Sequence, residues 1–173
     1  MEDSLKKWLA DHEINYVLHT HPPVFTVPEA KIHCAHIPGT HCKNLFLKNK
    51  GSGQFYLVTI PQEKRLDLKK FRKMINASKI RFGESEDLIE LLGLTPGAVS
   101  PIGLVNDTKN RVIFIIDKDV WNAKDICCHP NNNTETLQMS GLDFRKLILA
   151  TGTKVQIEEL PLLEPLLSKK KNL

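Results

Sequence analysis

The side chains most able to do chemistry are crowded into two short stretches. His33, Cys34, His36, His41 and Cys42 fall within ten residues, and Cys127-Cys128-His129 forms a second cluster. Imidazole and thiol together raise two readings, a zinc site and a Cys/His nucleophile. Zinc needs donors that converge tetrahedrally, usually as Cys-x-x-Cys or His-x-x-x-His pairs. No Cys-x-x-Cys is present, and three consecutive residues do not readily face one ion. Cys42 and Cys128 also sit in apolar runs, where cysteine behaves as a small hydrophobe. No metal is expected.

Nucleophilic catalysis finds little local support. There is no Gly-x-Ser-x-Gly elbow, and Ser100 lies between Val99 and Pro101 with no sign of activation. Cys128 and His129 are adjacent, so in a strand their side chains point to opposite faces. Cys34 or Cys42 with a distant histidine stays open. No Gly-x-x-x-x-Gly-Lys-Ser/Thr phosphate loop occurs, and no cofactor is expected.

Three further segments stand out. Gly97-Ala98-Val99-Ser100-Pro101 is a loop in which glycine admits a ligand close to the main chain and proline fixes the path. An ordinary tight turn explains the same residues. His129-Pro130-Asn131-Asn132-Asn133-Thr134-Glu135-Thr136 is Asn-rich, as many plain loops are. Lys43-Asn44 interrupts the start of an apolar strand. An inward lysine there is costly unless it meets an anion, and outward snorkelling is the equal alternative.

These residues need elements to position them. Leu5, Trp8 and Leu9 share a helical face, so a helix is expected over 2–12, followed by a strand from Ile14 to Leu18. Thr26 and Glu29 have capping-box spacing before a helix over 28–35. Cys42–Leu47 and Gln54–Ile60 read as a hairpin around the turn over 49–53. Asp67 opens a basic helix through Met74, Ile80–Phe82 is a short strand, and Ser85–Leu92 is a helix stopped by Gly93. Leu104-Val105, Val112–Ile116, Ile126–Cys128 and Val155–Ile157 read as strands, and Phe144–Ala150 as a helix. The irregular interleaving predicts a mixed α/β (α+β) sheet in one domain over 1–163, with a basic tail over 164–173.

The 173 residues are 41% hydrophobic and 25% charged, ordinary globular usage that argues against a disordered or fibrous chain. No apolar run approaches the ~20 residues of a membrane span, and Met1–Ala10 is charged and amphipathic, unlike a signal peptide. A cytoplasmic protein with reduced thiols and no membrane partner is expected. Net charge is +4, with Lys169-Lys170-Lys171 contributing at the end of the chain, which permits nucleic-acid binding without demonstrating it.

In order along the chain, His41-Cys42-Lys43-Asn44-Leu45-Phe46-Leu47, Gly97-Ala98-Val99-Ser100-Pro101 with Gly103-Leu104-Val105-Asn106-Asp107, and His129-Pro130-x-x-Asn133-Thr134-x-Thr136 resemble the signature blocks of the YbaK-like, prolyl-tRNA synthetase-associated domains. Pro22-Pro23-x-Phe25-Thr26 and the Phe144–Thr151 helix are also in place. Within that family the Lys-Asn-Leu-Phe-Leu form is most similar to free-standing alanyl-tRNA(Pro) deacylases. The resemblance implies a mixed sheet or partly closed barrel with surrounding helices, and hydrolysis of alanine from mischarged tRNA(Pro). A synthetase pocket shaped for proline cannot sterically exclude smaller alanine, and missing methylenes cost only ~1–3 kcal/mol each, so a second, smaller sieve is needed.

Carried over, Lys43 is the principal functional side chain, placing positive charge near the terminal adenosine phosphate or the ester. Asn44 helps hold the substrate end. The Gly97, Ala98, Val99, Ser100 and Pro101 backbone receives the aminoacyl group, with its carbonyls on the α-ammonium. His129, Asn133 and Thr136 line or support the pocket, and a substrate hydroxyl helps activate water. The implied partners are the acceptor end of mischarged tRNA(Pro) and prolyl-tRNA synthetase. Lys69, Lys70, Arg72 and Lys73 read first as a solvated helix face and second as contacts to the tRNA backbone. Where the family commonly has apolar residues after His-Pro, this chain has Asn131-Asn132. Cysteinyl-tRNA(Pro) deacylation, a non-catalytic tRNA-binding module, and a metal or thiol protein are the rival readings.

Overall fold

Leu5 and Leu9 are the buried residues of the opening helix α1 (Asp3–Asp11), as a four-residue apolar spacing requires. The computed structural model describes residues 1–24 and 26–163, with the backbone alone at Val27 and Lys31. The expected tail over 164–173 lies outside the described residues, as does Phe25. In chain order, β1 (Val17–Thr20), α2 (Val27–His33), β2 (Thr40–Asn49) and β3 (Phe55–Pro61) follow α1. Then come β4 (Arg65–Leu66), α3 (Leu68–Met74), β5 (Ile80–Phe82), α4 (Ser85–Leu92) and a 3-10 helix (Pro101–Asn106). The remainder is β6 (Val112–Asp117), α5 (Lys118–Trp121), β7 (Asp125–Cys128), β8 (Glu135–Ser140), α6 (Gly141–Ala150), β9 (Val155–Glu158) and β10 (Leu162–Leu163).

One eight-stranded mixed sheet runs β1-β8-β7-β2-β3-β6-β9, with β5 added on β2. β2 and β3 form the expected hairpin, Lys43 opposite Ile60, whereas β3-β6, β6-β9 and β2-β7 are parallel. The sheet stays open, with β1 and β9 at its ends. Its central strands are apolar on both faces, as parallel strands covered on two sides must be. Leu57, Phe114 and Ile116 pack with α1, α4 and α6 residues such as Leu9, Leu92 and Phe144. Tyr56, Val58, Ile60 and Ile115 face the other way onto Phe71 of α3. Each such fully buried side chain contributes about 1.5–3 kcal/mol relative to leaving it exposed.

Local signals explain the ends of the helices. Thr26 and Glu29 form the capping box that starts α2. Asp67 caps α3, accepting from Lys69 N and Lys70 N at 3.1 and 3.0 Å. Gly93 ends α4 in the left-handed region at φ 64°. Two expectations are corrected. Leu104-Val105 is not a strand: Pro101 and the Ser100 cap start a 3-10 helix there that buries Ile102 and Leu104. Nor does a strand begin at Ile14: Glu13 at φ 51° turns the chain, and Ile14 N bonds Leu9 O, so Ile14 closes α1 and β1 starts at Val17. β4, α5, β8 and β10 were not expected from the sequence.

Candidate active site

β2 and β7 pair only at Thr40–Ile126 and His41–Cys127, and then part. A cavity of about 230 Å³ occupies the split. His41, Cys42, Lys43 and Asn44 all line it, and so do Cys127, Cys128 and His129. Consecutive strand residues alternate between faces. A cavity touched by four in a row therefore lies at the strand's open edge rather than on a face of the sheet. Val24, Thr26, Ala30 and Cys34, from α2 and the residues flanking it, form another wall, and Gly97, Val99, Gln62 and Thr136 complete it.

Six of the ten residues expected at the site line this cavity: Lys43, Asn44, Gly97, Val99, His129 and Thr136. Lys43 is half-buried and donates from Nζ to the Lys64 carbonyl. Burial, and secondarily the Arg65 guanidinium, hold its ammonium below the usual lysine range. Among the described residues no carboxylate pairs with it. Asn44 donates from Nδ2 to Val99 O at 3.0 Å and accepts at Oδ1 from the Thr59 hydroxyl at 2.7 Å. Its carboxamide thus ties the sheet to the loop.

Gly97 is at φ 90°, a conformation that favours glycine. Among the described residues the Gly97 and Ala98 carbonyls accept no backbone hydrogen bond outside regular elements. The other four expected residues stand off the cavity wall. Ala98 and Pro101 are buried. Ser100 is fully buried, donates to His129 O and accepts from Ile102 N, so it joins the loop to the end of β7. Asn133 supports the wall through its carbonyl, which accepts from Val24 N at 3.0 Å.

His129 Nδ1 lies 2.8 Å from Glu135 O. A carbonyl can only accept, so Nδ1 carries the proton and Nε2 is left as an acceptor. Burial pushes the His129 pKa down, and nearby His21 and His41 add to this, which keeps the ring neutral. Thr136 is buried on β8, and its hydroxyl meets His21 Nε2 at 2.9 Å. Asn131 and Asn132 are turn-makers and do not line the cavity. Asn131 sits at φ 60°, which asparagine tolerates, and Asn132 Oδ1 accepts from Thr134 N.

All four cysteines line the cavity, a convergence that their sequence positions did not reveal. Burial pushes Cys42 and Cys127 up to about 12 and also raises Cys34 and Cys128. A thiol held protonated is a weak nucleophile. Among the described residues no three His, Cys, Asp or Glu side chains are grouped so as to hold a metal ion. Val24, Ala30 and Gln62 were also missed. Thr26 was legible as part of the Pro-Pro-x-Phe-Thr block, but nothing local marks Gln62 or Ala30.

Residues 21–147 match the aminoacyl-tRNA editing domain model. The prolyl-tRNA editing protein ProX of Acetoanaerobium sticklandii is 35% identical, over 88% of this chain and 93% of its own length. The mouse (Mus musculus) prolyl-tRNA synthetase associated domain-containing protein 1 is 32% identical, over 76% of this chain and 80% of its own. A crystal structure described as a candidate trans-editing enzyme for prolyl-tRNA synthetase has the same fold, with a TM-score of 0.68 at 21% identity, covering 92% of this chain and 98% of that one. Among the described residues no helix is long and apolar enough to cross a membrane. The chain belongs to the aminoacyl-tRNA editing domain family, and it is an aminoacyl-tRNA deacylase with a mixed α+β fold.

Proposed function

We propose that the protein acts in trans on mischarged tRNA(Pro), hydrolysing the ester between alanine and the terminal ribose. The relatives named for prolyl-tRNA editing and for the prolyl-tRNA synthetase associated domain support tRNA(Pro) as the partner. Prolyl-tRNA synthetase is then the source of the mischarged substrate. The observation that carries the reading is the Lys43 ammonium, half-buried at a small cavity with no carboxylate paired to it among the described residues. Such a charge is matched by a phosphate or by an ester oxygen gaining charge.

The aminoacyl group enters beside Gly97, whose carbonyl takes its α-ammonium. Asn44 holds that loop at its distance from the sheet. An aminoacyl ester is already activated, so orientation of one water and stabilisation of the developing oxyanion suffice without a triad. Val24, Ala30 and the protonated thiols give the aminoacyl side chain an apolar surround. The neutral His129 offers an acceptor at Nε2, and a substrate hydroxyl takes part in activating the water.

The test is hydrolysis of alanyl-, cysteinyl- and prolyl-tRNA(Pro) against a no-enzyme control. Rapid loss of alanine with proline spared is the expected result. Loss of cysteine alone transfers the protein to cysteinyl-tRNA(Pro) deacylation. Tight tRNA binding with no ester cleaved overturns the catalytic reading in favour of a binding module.

A further inference from the structure

A second cavity, of about 520 Å³, adjoins the first and shares Ala30, His41 and Gln62 with it. Its volume falls in the ~300–1,000 Å³ range of pockets that hold small ligands, whereas the first is smaller. An aminoacyl ester has this same division into a small acyl part and a larger nucleoside part. Its scissile linkage therefore belongs where the cavities meet.

Of the three shared residues, Ala30 brings no polar side chain. His41 Nε2 is 2.9 Å from Ile37 O, so that nitrogen already donates its proton to a backbone carbonyl. Gln62 is different. It is 9% exposed, and its backbone N–H is fixed on His41 O at 3.0 Å, just past the end of β3. Among the described residues its carboxamide has no hydrogen-bond partner, and it lines both cavities. A largely buried residue whose unpaired amide opens onto the junction of two cavities is a group placed to meet a ligand atom.

We propose that Gln62 binds the scissile ester, its Nε2–H donating to the carbonyl oxygen. This rests on the aminoacyl-ester reading above. As water's oxygen bonds to the carbonyl carbon, the π pair moves onto the oxygen held by Gln62. Collapse of the intermediate breaks the carbon–oxygen bond to ribose. The ribose oxygen takes one proton of the water, the other passes to solvent, and the amino acid leaves as carboxylate. The hydrogen bond strengthens as charge develops, so it lowers the barrier more than it aids binding.

Gln62→Met keeps the length of the side chain and removes the amide. Single-turnover hydrolysis of alanyl-tRNA(Pro) should fall about 10²-fold in kcat, the usual loss for one oxyanion donor. KM, affinity for uncharged tRNA and Tm should stay close to wild type. Gln62→Glu, which loses the donor on ionising, should show the same loss and serves if the Met variant does not fold. Wild-type kcat in either folded variant overturns the assignment, as does a rate loss that only follows a falling Tm. If wild type cleaves the cysteinyl but not the alanyl ester, the alanine reading fails alone and Gln62 is measured on the cysteinyl ester. If wild type cleaves no ester, both fall.

Discussion

Asn44 and Val99, 55 residues apart in sequence, are joined by one hydrogen bond of 3.0 Å from a strand side chain to a loop carbonyl. Asn44→Ala leaves that carbonyl and the Thr59 hydroxyl without their partner, which costs about 1–3 kcal/mol. Tm should fall by about 2–4 °C per kcal/mol for a chain of this size. Deacylation should fall as well, because the loop is no longer held at its distance. Asn44→Asp keeps an acceptor for Thr59 but turns a carboxylate toward the Val99 carbonyl, so it should lose activity more than stability. Melting curves and single-turnover rates on both variants check this.

Lys43→Ala should abolish most hydrolysis, by about 10²-fold or more, if its charge meets the reacting oxygens. Its loss removes one hydrogen bond to Lys64 O, so Tm should move little. Deprotonation removes the same charge. Because burial and Arg65 depress this pKa below the lysine value of 10.5, enzyme-specific activity should decline at a lower alkaline pH than an ordinary lysine would give. Arg65→Gln should shift that decline upward. Rates corrected for spontaneous ester loss give the profile.

Gly97→Val places a β-branched residue at φ 90° and a side chain on the cavity wall. Turnover should be lost while affinity for uncharged tRNA is kept. Filter binding and a deacylation assay on the same preparation separate the two.

Iodoacetamide at neutral pH should leave the folded enzyme active. Cys42 and Cys127 titrate only near 12, and so hold almost no thiolate at pH 7. Mass spectrometry should find labelling of the four thiols only after denaturation. Inactivation that tracks modification of one thiol in the folded protein revives the thiol mechanism.

His129 ties stability to pH. Its folded pKa is held below 6.5, so as pH falls under that value the unfolded chain takes a proton that the folded one refuses. Stability is therefore full above 6.5 and declines as pH falls toward the depressed folded value. His129→Phe should flatten this part of the Tm–pH curve.

Elements whose order is local were legible in the residues. The apolar spacing of α1 and α4, the Thr26–Glu29 box, the Gly93 stop and the β2–β3 hairpin all announce themselves within a few positions. β8 did not: Glu135–Ser140 carries only Leu137 and Met139 as apolar residues, and its order comes from pairing between β1 and β7. At the site, Lys43, Gly97 and His129 were found through short motifs. The thiol wall and Gln62 were not, because they arise where distant segments meet. Asn131-Asn132 departs from the family's pattern, and each has a local role before β8: Asn131 sits at φ 60°, and Asn132 Oδ1 accepts from Thr134 N.

The parting of β2 from β7 bears on how this enzyme could change its taste in evolution. The two strands that part are each fastened on their other side by a β-ladder, β2 to β3 and β7 to β8, and such walls do not yield to a single substitution. Drift in selectivity is therefore expected to pass first through the residues that line the cavity from α2 and its flanks, Val24, Ala30 and Cys34. A new preference is a matter of refitting three small residues, while the framework that performs the cleavage is inherited intact.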